Sequence, residues 1–588
     1  MKNRIKIILF CAAAAVSTFI LAGCSFPGVS QNRKLTVDED ETFEKESTAA
    51  AEIADDLSLY EGFGDEVKTV YLTVGRGNAE DGTGYSWSEV NSAAENDDFW
   101  EGKEYLCEAV LQFGDETAPL PGEFGYGALT ANATVRLQGK NAATRQQKSY
   151  RVSIKDGSGN VNGIKTLVFS KEFSDPLRFT NKLCFDLMQG IPGMMSTRTS
   201  FVHLYVKDKS DTDDTLFVDY GLYTMIEPIN KTYFKNRNLP KNSLIYKAEN
   251  FDFGRHSDVI TQATDSSYDE GEFEKLLEIK GDTDHTNLIT VLDAVNDENV
   301  SIYETVKEYF DEDNIYDYLA FGLLTGNKDA CLDNYYLYNP VGTGKFYFIS
   351  WNNGGALDED YENMTSSSDP EFWKKGIFLF SDNVLFSRIL KDEKCREKLA
   401  EHVDNLYENY LTKEKVAEKA SDLKEMVKGR IYSLPDLTFA RVDEETYDSI
   451  AAGLSDQVER NFYSFYETLE LPWPFHIKEP EGNGGKITIN WESAFLYGGE
   501  ASYDVAVDDA WDFQSPIINE KGMKGTSLDI GSLSEGQYFV KITAVSGAGE
   551  TAAREYYNTE KKTMVEGTLC FYVLADGSAR ALYMYDEG

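Results

Sequence analysis

The chain reads as an α+β protein with three parts in order: a β-rich part, a mainly helical part and a terminal β-sandwich. Three observations carry this. Apolar residues alternate along segments between residues 66 and 170, the period of strands with one buried face. Between 270 and 470 they recur three and four apart, as on one side of a helix. After Pro472-Trp473-Pro474 the alternation returns and runs to about residue 560. Composition agrees with a packed chain. Of 588 residues, 41% are apolar and 13% aromatic, unlike disordered acidic chains. The length suggests about two to four domains. With 100 Asp and Glu against 57 Lys and Arg, the net charge is −43, so no nucleic-acid partner is expected.

Residues 1–23 have the pattern of a leader. Lys2, Arg4 and Lys6 precede an apolar run from Ile7 to Leu21, short of the roughly 20 residues that span a bilayer. Leu21-Ala22-Gly23-Cys24 resembles the bacterial lipobox. That resemblance implies cleavage before Cys24, diacylation of its sulfur, and a lipid anchor on the extracytoplasmic face of the cell membrane. The other reading is an ordinary secretory signal. Residues 24–65, with Asp38-Glu39-Asp40-Glu41 and Glu44-Lys45-Glu46, read as an acidic tether. Beyond the leader no 18 consecutive residues are apolar, so the lipid is the expected membrane attachment. Cys107, Cys184, Cys331, Cys395 and Cys570 are odd in number and dispersed. They suit neither a disulfide framework nor a zinc site and are expected as small buried apolar residues.

Val70, Leu72 and Val74 alternate, as do Val135 and Leu137, then Tyr150, Val152 and Ile154. The turns Gly75-Arg76-Gly77 and Gly122 to Gly127 lack the third glycine of a dinucleotide loop, where Glu80 and Thr130 stand. A helix is expected over Asn181 to Met188, and strands over Phe201–Val206 and Gly221–Ile226. Ile315, Tyr318, Leu319, Gly322 and Leu323 keep helical spacing, as do Leu399, Val403, Leu406 and Tyr410. Between them Tyr335–Tyr338 and Lys345–Ile349 form a strand pair, and Asp311-Glu312-Asp313-Asn314 caps a helix rather than binding calcium. In the sandwich, 475–560, Leu533, Gly536 and Tyr538 resemble the tyrosine corner of fibronectin type III modules. Residues 561–588 read as a separate final hairpin around Asp576-Gly577.

Hydrolase and metal motifs are absent from the sequence: the five His are dispersed, and there is no GxSxG elbow and no Walker loop. One constellation stands out, Asn327 to Tyr338, where Asp329 and Asn334 keep the D-x4-N spacing of a kinase catalytic loop. An Asp at a loop end can take a hydroxyl proton, and an Asn five residues on can turn towards a metal.

The surroundings resemble the CotH kinase family of spore-coat-type atypical kinases. Asp329–Asn334 is followed by Tyr335-Tyr336-Leu337-Tyr338 and Phe348-Ile349-Ser350-Trp351. Upstream, Arg136-Leu137-Gln138-Gly139, Gln147-Lys148-Ser149-Tyr150-Arg151, Asp175 to Leu183, Gly221 to Glu227 and Leu244-Ile245-Tyr246-Lys247 are similar to further landmarks in order. The resemblance covers roughly residues 66–470. It implies an atypical kinase fold that binds ATP and magnesium and phosphorylates protein serines. Asp329 would be the catalytic carboxylate, with Asn334 and Asn352 at the metal. Arg136 and Lys148 would contact the nucleotide, and Glu227 would orient Lys148 by an ion pair. Lys155, on the same strand, is the alternative lysine. The family's Trp-Asp-x-Asp reads Trp351-Asn352-Asn353-Gly354 here, so both acids are missing, although Asp358, Glu359 and Asp360 follow. The expected function is therefore a degenerate or weakly active kinase at the cell surface, using magnesium and ATP if active and possibly no cofactor, on a protein substrate. The alternative is a surface binding protein for protein or glycan partners.

Overall fold

The computed structural model describes residues 53–584, apart from 213–214, 360, 362–368, 484–485 and 560–562. The leader, Cys24, most of the acidic tether and Asp360 lie outside the described residues.

Seven strands form a closed barrel: β1 (Lys68–Gly75), β2 (Cys107–Gly114), β3 (Ala133–Leu137), β4 (Tyr150–Ile154), β5 (Thr166–Ser170), β6 (Thr199–Asp208) and β7 (Val218–Ile226). Their order is β1-β2-β3-β4-β5-β7-β6, and a parallel β1–β6 ladder closes the ring. The alternation fixes which side faces in. Val70, Leu72, Leu111, Val135, Tyr150, Val152 and Leu204 fill the interior. On β3 and β4 the intervening residues, among them Arg136 and Arg151, face outward.

The helical part is built on a second sheet, ordered β11 (Tyr347–Ser350), β10 (Tyr335–Asn339), β8 (Leu244–Ala248) and β9 (Leu277–Ile279). Tyr335, Leu337 and Phe348 face the large helical core. Tyr336, Tyr338 and Ile349 face the other way, onto Ile229, Tyr233 and Phe234. The helix Glu312–Thr325 is buried from Asn314 onward. Asp311 caps it by accepting the Asn314 N–H at 3.0 Å, and Gly326 ends it with φ +62°. A methyl at Gly322 would lie 2.7 Å from the Phe380 ring, so only glycine allows this close packing. Helices Glu393–Asn409, Lys413–Ile431 and Glu444–Leu469 complete this part. No described helix is long and apolar enough to cross a membrane. The five cysteines are buried and unpaired.

Residues 53–64 correct the tether boundary. Asp55 accepts hydrogen bonds from the Ser196 N–H (3.0 Å), Arg237 Nε (2.9 Å) and the Tyr60 hydroxyl (2.6 Å), with its side chain 5% exposed. Local charge density suggests a solvated spacer here; Ser196 and Arg237, which hold Asp55 against the body, lie more than a hundred residues away.

Two sheets enclose the core of the C-terminal part. One holds Glu481–Asn483, Lys486–Asn490 and Ser527–Gly531. The other runs through Ile518–Met523, Ser502–Asp508, Gly536–Val545, Thr568–Val573 and Ala579–Leu582. They enclose Trp491, Val505, Val540, Ile542 and Phe571. The Tyr538 hydroxyl donates to the Ser534 carbonyl at 3.1 Å. The final hairpin is not separate: Thr568–Val573 pairs antiparallel with Gly536–Val545 because its apolar face completes the same core. This part is fastened to the helical part by Arg554, 2.6 Å from Asp382 and stacked 3.9 Å over Trp373.

Candidate functional site

The site begins where the buried helix Glu312–Thr325 ends. Residues Lys328–Cys331 make a short 3-10 turn. Neighbours hold its carbonyls: Tyr318 Oη donates to Ala330 O (2.8 Å), Asn383 Nδ2 to Cys331 O (2.9 Å) and the Phe251 N–H to Leu332 O (2.8 Å). Asp329 is exposed on this turn. Asn334 has φ +62°, a left-handed conformation that Asn tolerates. Its carbonyl accepts the Trp351 N–H at 2.8 Å, and Tyr335 then pairs with Ser350. Asn334 is thereby set beside Trp351 and Asn352.

The turn after β11 faces Asp329. Asn352 Oδ1 accepts the Gly354 N–H at 3.2 Å. A methyl at Gly355 would lie 2.9 Å from both Cγ and Oδ2 of Asp329. Asp329 therefore lies against the turn that carries Asn352, and Asn334 is bonded to the residue before Asn352. Asn353, fully buried, anchors the turn. Its N–H donates to Asn181 Oδ1 (3.0 Å) and its Oδ1 accepts from Ser350 Oγ (3.0 Å). Asn181 in turn donates to Glu172 Oε1 at 3.0 Å, and burial pushes the Glu172 carboxyl up. Asn181 and Asn353 fix the shape of this turn, which no sequence spacing announces. Both lay inside quoted motifs, but only tertiary contact pairs them.

These donors do not suit magnesium. One carboxylate with two neutral amides is a weak set for a hard cation beside triphosphate. Among the described residues no three His, Cys, Asp or Glu gather to hold a metal. Glu359 turns away, 3.6 Å from Arg460 on the last helix.

The expected Lys148–Glu227 ion pair is not formed. Glu227, at the end of β7, is 1% exposed and bound by Arg198 through Nε (2.9 Å) and Nη2 (2.7 Å), with Arg237 Nη1 at 3.3 Å. Burial alone would raise its pKa; the two guanidiniums outweigh burial and hold it below the usual carboxylate value. Lys148 precedes β4, and its ammonium reaches back 2.6 Å to the Ala143 carbonyl. Lys155 pairs with Glu108 on β2. Arg136 pairs with Glu104 at 3.0 Å and stands opposite Arg151 in the β3–β4 register. Arg151 stands outside the barrel core, where the alternation of Tyr150, Val152 and Ile154 sets it.

A family model described as CotH kinase protein matches residues 135–466. The Inner spore coat protein H of Bacillus subtilis (strain 168) is 21% identical over 331 residues, covering 56% of this chain and 85% of that protein. The matched region, more than half of the chain, runs from β3 of the barrel through β7, the Asp329 turn and the helical part, and the chain belongs to the CotH kinase protein family.

Proposed function

We propose that this protein is a lipid-anchored member of the family on the extracytoplasmic face of a bacterial membrane, with phosphotransfer reduced or lost. The lipobox-like Leu21-Ala22-Gly23-Cys24 supports the anchor, and the C-terminal β-part is read as a fibronectin type III-like module. One observation carries the loss of activity. Where two acids are expected to hold magnesium, Asn352 offers only an uncharged amide oxygen that already accepts the Gly354 N–H, and Gly354 has no side chain to offer. Asp329 remains as the single acid of the expected set, facing Gly355. The same observation favours a binding role for protein or glycan partners, with the kinase-like body as scaffold. The test is a phosphotransfer and Mg·ATP binding assay on the full chain. The wild type is expected to show weak or no Mg·ATP binding, and Asn352→Asp combined with Gly354→Asp to raise it. Micromolar Mg·ATP affinity with serine phosphorylation in the wild type, both lost in Asp329→Ala, would overturn the proposal.

A further inference from the structure

Residues 53–64 are loosely held, yet they cover a network that is almost fully buried. None of the twelve is itself buried, and Leu57 is 52% exposed. Their backbone hydrogen bonds stay within the segment, as from the Leu59 N–H to Asp56 O (3.1 Å) and the Phe63 N–H to Tyr60 O (3.0 Å). No strand ladder joins them to the barrel. Few buried apolar contacts and no ladder mark a segment that opens locally, at far less cost than global unfolding. Gly62 and Gly64, with φ +66° and +89°, turn the chain from this segment towards β1 and give it a pivot.

Beneath lie Arg198, Glu227 and Arg237, each 4% exposed or less. The contacts of the segment converge on the two arginines. Asp55 accepts from Arg237 Nε and the Ser196 N–H. The Tyr60 hydroxyl accepts from Arg237 Nη2 at 3.0 Å, and the Phe63 ring lies 5.5 Å from the Arg198 guanidinium. Among the side chains bonded to one another here, two guanidiniums face two carboxylates. Without Asp55 one buried positive charge is left over, and a buried cation that loses its partner is strongly destabilising. Arg237 can therefore exchange Asp55 only for water, and water reaches it only when the segment lifts. Asp55 and Tyr60 must then leave together, so the opening is all-or-none.

The segment also braces the candidate site from behind. Ile53 and Trp351 pack against one apolar cluster, which includes Tyr233, Phe234, Tyr336 and Ile349. Trp351 stands between β11 and Asn352, and its N–H donates to the Asn334 carbonyl. Ser196 joins the two sides: its carbonyl accepts from the Tyr233 hydroxyl (2.8 Å) and from Arg237 Nη2 (3.0 Å).

We propose that residues 53–64 form a releasable strap. Closed, it neutralises Arg237 through Asp55 and supports the cluster behind Trp351. Open, it admits water to Arg237 and loosens the strand edge that carries Trp351 and Asn352.

The test is hydrogen–deuterium exchange on the full-length chain, read by mass spectrometry. In the wild type the amides of Leu59, Tyr60 and Phe63 are expected to exchange well ahead of the β1–β2 ladder. Asp55→Asn keeps an acceptor for the Ser196 N–H but removes the charge that faces Arg237. It is expected to speed exchange at Leu59, Tyr60, Phe63, Ser196 and Trp351 together, about tenfold or more, as for loss of a charge-assisted hydrogen bond. The β1–β2 ladder is expected to stay as protected as in the wild type. Glu61→Gln, at an exposed acid of the same segment, is expected to change none of these amides. Protection of residues 56–64 as lasting as that of β1 in the wild type would overturn the proposal, and this arm needs no variant to fold. Faster exchange of the segment in Asp55→Asn with Ser196 and Trp351 unaltered, or an equal effect from Glu61→Gln, would overturn it as well.

Discussion

Asp436→Asn tests the joint between the barrel and the helical part. Asp436 lies in the short turn Asp436–Phe439, between helices Lys413–Ile431 and Glu444–Leu469. Its carboxylate accepts from Lys171 Nζ (2.8 Å), Gln147 Nε2 (3.1 Å) and the Leu222 N–H (2.7 Å). The Lys171 side chain is 1% exposed and that of Asp436 4%. Removing one charge of so buried a pair costs about 3–5 kcal/mol. Asn keeps one acceptor, whereas Ala also strands the Leu222 N–H and adds about 1–3 kcal/mol. The loss has a pH signature. Burial lowers the Lys171 pKa to about 8 in spite of Asp436. The fold thus prefers the neutral amine, and the Lys171 contribution to stability rises as pH climbs from about 8 towards the ordinary lysine value of about 10.4. Without the carboxylate the folded pKa drops further, and the deficit of the variant shrinks between pH 7 and pH 9. Denaturant unfolding followed by circular dichroism at both pH values reads this. A loss under about 1 kcal/mol at pH 7, or an equal deficit at both, would refute the reasoning.

Two smaller perturbations address the C-terminal part. Tyr538→Phe removes the hydroxyl that ties the Ser534 carbonyl and is expected to cost about 1 kcal/mol, read as a lower melting temperature. Arg554→Ala removes both the Asp382 pair and the stacking on Trp373. It is expected to cost about 1–2 kcal/mol and to speed proteolysis near Pro472-Trp473-Pro474 while the two parts stay folded.

Element type was legible wherever one period ran long enough. Tyr150, Val152 and Ile154 gave both strand β4 and its inward face. Asp311 was readable as a cap because capping is a local bond, three residues long. That the Asp329 turn and the Asn352 turn lie at the same end of one strand pair was readable, because Tyr335 pairs with Ser350. What escaped was set by distant register. The partner of Glu227 is Arg198, brought beside it where the ends of β6 and β7 meet and the Glu227 N–H donates to the Arg198 carbonyl. No spacing rule singles out that arginine over Lys148. Likewise Asp55 looked solvated until Arg237 and Ser196 arrived from elsewhere in the chain. The last hairpin looked independent because its pairing with Gly536–Val545 leaves no local mark.

The way the chain enters the body decides how it bears a pull. Tension arriving ahead of Ile53 meets Asp55 first, where the bonds to Ser196 and Arg237 must part before residues 56–64 can be drawn off. Behind it stands β1, laddered over seven residue pairs to antiparallel β2 on one side and over seven to parallel β6 on the other. A load along the β1 axis strains both ladders in shear, so many bonds must fail together instead of unzipping one at a time. The leading segment yields at a modest force and the barrel at a much larger one, two thresholds governed by rates of rupture and not by equilibrium stability.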